Sequence, residues 1–317
     1  MDCGIVGLME LLLQYSNTPN NPSIQSFNSP IIPMHRRNYI AYLFISPYAL
    51  HFAVFIGFPL VFTLVLLFHR WDIVSPMVWI GLDNFAKLFR DHLFWQAMLN
   101  TGIFLLLHIP LQIGGALFLA IQLNQRIKLR GFFRAAFFLP VVVSGVVISI
   151  LWDQLYAKDT GVLNALLAQI GLAKIGWLTE PFFAMPAIAL MATWKNVGLY
   201  IVLFLVGLQS VPIQMYEAAD IEGAGAWQKF WKVTLPMLNP TIFMVVILST
   251  IGGFSLFIEP YIMTGGGPMN RTLSAMLYIY KQGFFFSHMG YAATLGFAFA
   301  VIVLLVVLLQ RRLVERE

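Results

Sequence analysis

The chain has 317 residues, of which 59% are hydrophobic, 15% aromatic and only 10% charged, and its mean hydropathy is +0.80. Soluble domains carry roughly 25% charged residues, so a soluble fold is excluded: no globular core of this size could hide so much apolar surface, whereas lipid accepts it. The formal net charge of +5 does not point to nucleic acid, because the basic residues lie between apolar runs, where membrane topology places them.

The first 38 residues stand apart. Residues 17–33 are rich in Asn, Ser and Pro, and residues 1–38 are expected to form a disordered cytoplasmic tail. The run 4–13 is apolar but short, and Asp2 and Glu10 stand where a signal peptide needs basic residues. A short interfacial helix, or a start codon placed too far upstream, is the expectation there. The single cysteine, Cys3, has no disulfide partner, and no Cys/His metal spacing is present.

Crossing the hydrocarbon takes about 20 apolar residues. Six stretches qualify: 42–68, 101–123, 135–151, 183–208, 241–263 and 289–309. They must be helices, because lipid offers backbone amides no hydrogen-bond partner. Period-2 alternation is missing from these runs, which argues against a β-barrel. With the N-terminus inside, the cytoplasmic side collects eleven basic residues against seven outside. The clusters Arg126, Lys128, Arg130, Arg134 and Arg311, Arg312, Arg316 both favour that orientation. Both termini, and the segment 209–240, are therefore predicted to be cytoplasmic.

That segment is rich in signals. Pro212 fixes its start, and Glu217-Ala218-Ala219 continues a stretch of high helix propensity. Gly223 and Gly225 permit a sharp turn. Trp227, Phe230 and Trp231 then fall at spacings of three and four, giving a second short helix an aromatic stripe. Pro236 and Pro240 are expected to break that helix and launch the fifth span. Residue chemistry alone allows two readings: a surface that docks onto another protein, or a helix resting its aromatics in the lipid headgroups.

Glu217-Ala218-Ala219, then Gly223, then nine residues to Val233-Thr234-Leu235-Pro236 resembles the EAA loop of binding-protein-dependent ABC importer permeases. Val233 stands where the pattern has Ile, and Glu222 where many members have Asp. Further matches to the sugar-permease branch, of the maltose or glycerol-phosphate type, run from residue 38 to 312. They include Asp159-Thr160-Gly161, Trp194-Lys195-Asn196-Val197-Gly198 and Thr264-Gly265-Gly266-Gly267-Pro268-Met269-Asn270. The resemblance implies an all-α membrane protein with six transmembrane helices and the type I ABC importer permease fold, with the permease domain at 39–317. It implies that Glu217, Ala218, Ala219, Gly223, Leu235 and Pro236 form a coupling helix seated in a cleft of an ATP-hydrolysing subunit. It further implies a second homologous permease subunit, ATP-binding cassette subunits, and an extracytoplasmic solute-binding protein docking on 70–98, 153–182 and 264–288. The setting is a bacterial or archaeal cytoplasmic membrane.

The chain carries no Gly-x-x-x-x-Gly-Lys-[Ser/Thr] phosphate loop. It is therefore expected to be no enzyme, to need no cofactor or metal, and to draw energy from an ATPase partner. For the substrate path, polar residues inside spans usually face a cavity or another helix. Trp194, Asn196 and Tyr200 in the fourth span, and Ser249, Ser255 and Glu259 in the fifth, suit a sugar's apolar faces and hydroxyls. Each has a structural alternative as a packing or interfacial residue. Lys195 could snorkel or pair with an acid on the partner permease, and Glu259 lies near enough to the outer end to reach water. The paired Gly252 and Gly253 suggest a broken or closely packed helix.

Two rivals stand beside the importer reading. A self-contained secondary transporter or channel would explain the spans but not the EAA pattern, and no inverted repeat is evident. A membrane-embedded enzyme would need clustered acids or histidines, whereas His69, His92, His108 and His288 are scattered.

Overall fold

The computed structural model describes residues 34–125 and 127–314, in two compact units, Met1–Phe62 and Thr63–Glu317. The expected tail before Met34, together with Arg126 and Arg316, lies outside the described residues.

In the first unit, α1 (Met34–Phe52) begins within the stretch expected as tail and continues through a π turn, Ala53–Gly57, into α2 (Phe58–Leu66), whose residues 63–66 belong to the second unit. Together they supply a membrane-length apolar helix, Ala41–Leu66. The π turn ends two residues before Pro59. There the Phe58 N–H reaches back five residues to the Ala53 carbonyl. This wider turn shifts the carbonyl that the proline ring would otherwise strike, so the helix runs on across it.

After the end of α2, the second unit carries a two-residue antiparallel ladder, β1 (His69–Arg70) and β2 (Val78–Trp79), in which His69 faces Trp79. This is a small departure from an all-helical chain. A short helix, α3 (Asp83–Arg90), then leads to α4 (His92–Asn124), 33 residues long. The second span therefore starts earlier than residue 101, because Asp91 caps it. One carboxylate oxygen accepts from the N–H groups of Leu93 and Phe94 at 3.0 and 3.1 Å. The other accepts from the hydroxyls of Tyr278 and Tyr291. Burial acts to raise the Asp91 carboxyl pKa, but these bonds outweigh it and hold the group below the usual carboxylate range.

The third span, expected as one rod over 135–151, is broken. Helices α5 (Arg130–Val142) and α6 (Gly145–Tyr156) meet at 100°. Pro140 removes a helical hydrogen bond, and Val143 and Ser144 turn extended, with ψ of 142° and 132°. After α7 (Val162–Gln169), the Asn164 side chain ties the loop together through bonds to Lys158, Ile175 and Trp177. The fourth span is α8 (Pro181–Ser210).

The segment after it forms α9 (Ile213–Ile221), α10 (Ala226–Lys229), a π turn at Phe230–Thr234 and α11 (Leu235–Met237). The fifth span is α12 (Asn239–Phe254) followed, after a break at 255–257, by α13 (Ile258–Met263). Helix α14 (Ala275–Tyr280) and the long α15 (Met289–Val314) complete the unit.

Helices α4 and α8 make the most extensive contact, with α5 lying across α8 and α12 against α4. Ala116, Ala120, Ile201, Phe204, Leu238 and Val245 form one core cluster, and Phe104, Ile188 and Met191 belong to another. Between apolar helices in lipid, close packing rather than water exclusion supplies the attraction, so small residues matter at the crossings. A Cβ at Gly198 would lie 2.1 Å from the Phe137 carbonyl oxygen. Only glycine lets α5 cross α8 there.

Candidate functional site

Two places gather the residues singled out in the sequence. The first is the segment 213–237. Helix α9 ends in a Schellman motif: the Gly223 N–H donates to Asp220 O at 3.0 Å, and the Ala224 N–H donates to Ala219 O at 2.9 Å. Gly223 holds φ of +75°, which a side chain would strain. This is the physical reason for the glycine. Lys229 crosses the turn to Asp220 at 2.6 Å, and Tyr216 bonds Thr234 at 3.0 Å, so α9 and the following helix form one body.

Pro236 does not break that helix. As at Pro59, a π turn ends two residues earlier, with the Leu235 N–H reaching back to Phe230 O. Only Leu238, fully buried, interrupts the helical path into α12. Pro240 sits in the first turn of α12, where its missing N–H costs nothing. Glu217, Ala218, Gly223 and Pro236 are exposed, while Ala219 and Leu235 are half-buried. Ala218, Ala219, Glu222 and Lys232 line a cleft of about 350 Å³. Trp227 and Trp231 are 72% and 51% exposed; Trp231 meets Trp227 and Phe230 edge to face, and Trp227 is tilted against Phe230. Such exposed aromatic surface suits either reading made from the sequence, a contact with another protein or a rest in the lipid headgroups.

The second place is a cavity of about 500 Å³ between α4, α8, α12 and α13. Asn196, Tyr200, Ser249, Ser255 and Glu259 all line it. Trp194 does not. It is 44% exposed and leans on Trp152, ring centroids 5.4 Å apart. Glu259 is buried rather than in water, and Lys195 neither snorkels nor waits for a partner chain: its Nζ lies 3.2 Å from Glu259 Oε1. The break in the fifth span follows directly on Gly252 and Gly253, both in the cavity wall.

Phe104, His108 and Gln112 on α4, none of them expected in the substrate path from the sequence, complete the wall. They lie at four-residue spacing on one helix face, a signal readable in the sequence once α4 is known to face a cavity. His108 stacks on Phe104 and bonds Thr193 Oγ1 through Nδ1 at 2.9 Å. The Thr193 hydroxyl proton is already donated to Ala189 O, so in this pair Nδ1 carries a hydrogen and donates it to Thr193 Oγ1. Gln112 accepts a bond from Ser249 Oγ through Oε1. Its Nε2 is buried and has no hydrogen-bond partner among the described residues. Buried donors are rarely left idle.

Known proteins share the sequence and the fold of this chain. The family described as "Binding-protein-dependent transport system inner membrane component" matches residues 112–317. The chain is 37% identical over 284 residues to the probable ABC transporter permease protein YurN of Bacillus subtilis, covering 88% of this chain and 97% of the relative. It is 40% identical over 275 residues to the lactose transport system permease protein LacF of Rhizobium radiobacter, covering 85% and 91%. Its backbone superposes with a TM-score of 0.77 and 25% identity on a chain of a bacterial ABC transporter involved in the import of the acidic polysaccharide alginate, covering 89% of this chain and 96% of the other. The chain belongs to the binding-protein-dependent transport system inner membrane component family and is a permease subunit of an ABC importer, a membrane component that leaves ATP hydrolysis to separate subunits.

Proposed function

We propose that this permease forms one half of the path by which a saccharide enters the cell. The observation that carries the reading is the mid-span cavity, whose wall combines aromatic and aliphatic surface with Gln112, Asn196, Tyr200, Ser249, Ser255 and Glu259. A sugar offers the same alternation of apolar C–H faces and hydroxyls. Gln112 Nε2 is closed off in this conformation and would find its acceptor in a sugar hydroxyl once the pathway opens around it. Trp194 is left out, because it lies away from the lining. Relatives named for lactose, arabinooligosaccharide and trehalose/maltose transport support the substrate class.

In this reading a second homologous permease closes the other half, two ATP-binding cassette subunits dock beneath Glu217–Pro236, and an extracytoplasmic binding protein delivers the solute. Both termini face the cytoplasm, as the basic clusters favour. The chain's contribution to energy coupling is mechanical: closure of the ATPases displaces α9–α11, and the near-continuous helix into α12 tilts the cavity wall.

The test is uptake of a labelled neutral oligosaccharide by cells carrying the complete importer. Losing one hydrogen bond of about 1.4 kcal/mol corresponds to tenfold in affinity. Gln112→Leu is therefore expected to raise the uptake KM about tenfold, with membrane levels unchanged. An unaltered KM takes Gln112 out of the path.

A further inference from the structure

We propose, resting on the saccharide reading above, that the Lys195–Glu259 pair sets the charge selectivity of the pathway: it holds this half of the cavity electrically neutral, so that uncharged saccharides are accepted and anionic ones are refused. Lys195 and Glu259 are the Lys and the acid among the cavity's lining residues, with no further Arg, Lys, Asp or Glu beside them. Their side chains are only 15% and 11% exposed, and Nζ and Oε1 are 3.2 Å apart. An ion pair buried between membrane helices is costly to desolvate, and apolar contacts would join α8 to α13 as well or better. Its presence calls for a role beyond holding the helices.

The surroundings of the ammonium indicate that role. Gly145 opens α6, and a Cβ there would lie 2.8 Å from Lys195 Nζ. The positive end of the α6 dipole therefore begins beside the ammonium. Without Glu259, the Lys195 ammonium would stand unpaired in the cavity wall, with the α6 N-terminus behind it adding to its pull on an anion. Glu259, carried on the half-helix beyond the break in span five, occupies that place permanently and cancels the pull. A carboxylate or sulfonate on a sugar would have to compete with an attached carboxylate for the same ammonium.

The experiment uses the complex of both permeases and the ATPase subunits in detergent, with the binding protein left out so that its own preferences do not enter. Saturation-transfer NMR reports weak binding of lactose, maltotriose and the aldonates made by oxidising their reducing ends. The wild-type complex is expected to contact the neutral sugars and not the aldonates. Glu259→Gln frees Lys195 and should raise the aldonate-to-parent ratio at least about tenfold, as an unscreened buried charge requires. The charge swap Lys195→Glu with Glu259→Lys keeps the cavity wall neutral and should keep the wild-type preference, which a loss of folding would not. Equal binding of aldonates and parents by the wild type, or an unchanged ratio in Glu259→Gln, overturns the proposal. If no saccharide of either kind binds any variant, the saccharide reading itself fails, and the selectivity falls with it.

Discussion

At Gly198 a single hydrogen separates two helices of the permease. The Phe137 carbonyl stands where a methyl group would go, and carbonyl oxygen cannot yield as a side-chain tip can. Overpacking of this kind typically costs about 1–3 kcal/mol. Gly198→Ala is therefore expected to lower the unfolding temperature of the detergent-purified importer by several degrees, read by scanning fluorimetry; an unchanged midpoint would mean that α5 does not lie on α8 as described. The same scale explains which site residues could be read in the sequence. Asn196, Tyr200 and Ser249 are conspicuous as polar groups in apolar runs. Gln112 and His108 are equally polar, yet nothing local shows that their helix face lines a cavity rather than a neighbouring helix. The Lys195–Glu259 pair was illegible for a different reason: its members are 64 residues apart, and only the fold brings α13 back to α8.

Among elements, the segment 213–237, proposed above to couple to the ATPases, was the most legible, because turn chemistry is local. A glycine at positive φ and an aromatic stripe announce themselves within a few residues. What the sequence hid was continuity: two prolines look like helix breaks, yet a π turn ahead of Pro236 lets the helix run nearly unbroken into α12. That stiffness is what a lever requires. Gly223→Pro cannot adopt φ of +75°, and Glu217→Lys reverses the charge on the exposed face of α9. Both are expected to reduce ATP-driven uptake to background while the chain remains in the membrane at normal levels, checked by immunoblot of the membrane fraction beside the uptake assay. Normal uptake in both would remove the segment from the coupling path. The third span shows the opposite case. Its apolar length was legible, but its 100° bend was not, since one proline in an apolar run marks a kink, a break or nothing until neighbouring helices decide.

For the whole molecule, hydropathy located the spans because lipid forces every backbone amide into a helix; it said nothing of what the spans enclose. The structure adds a polar cavity at their middle and a rigid segment at one end of span five, joined by α12 itself. Half a pathway with a lever but no engine should be inert alone. The most direct test is to reconstitute the permease into liposomes with and without its partner subunits and follow a labelled neutral oligosaccharide. The account predicts accumulation only when the second permease, the ATPase subunits, the loaded binding protein and ATP are all present. Transport by this chain on its own, without ATP, would contradict it.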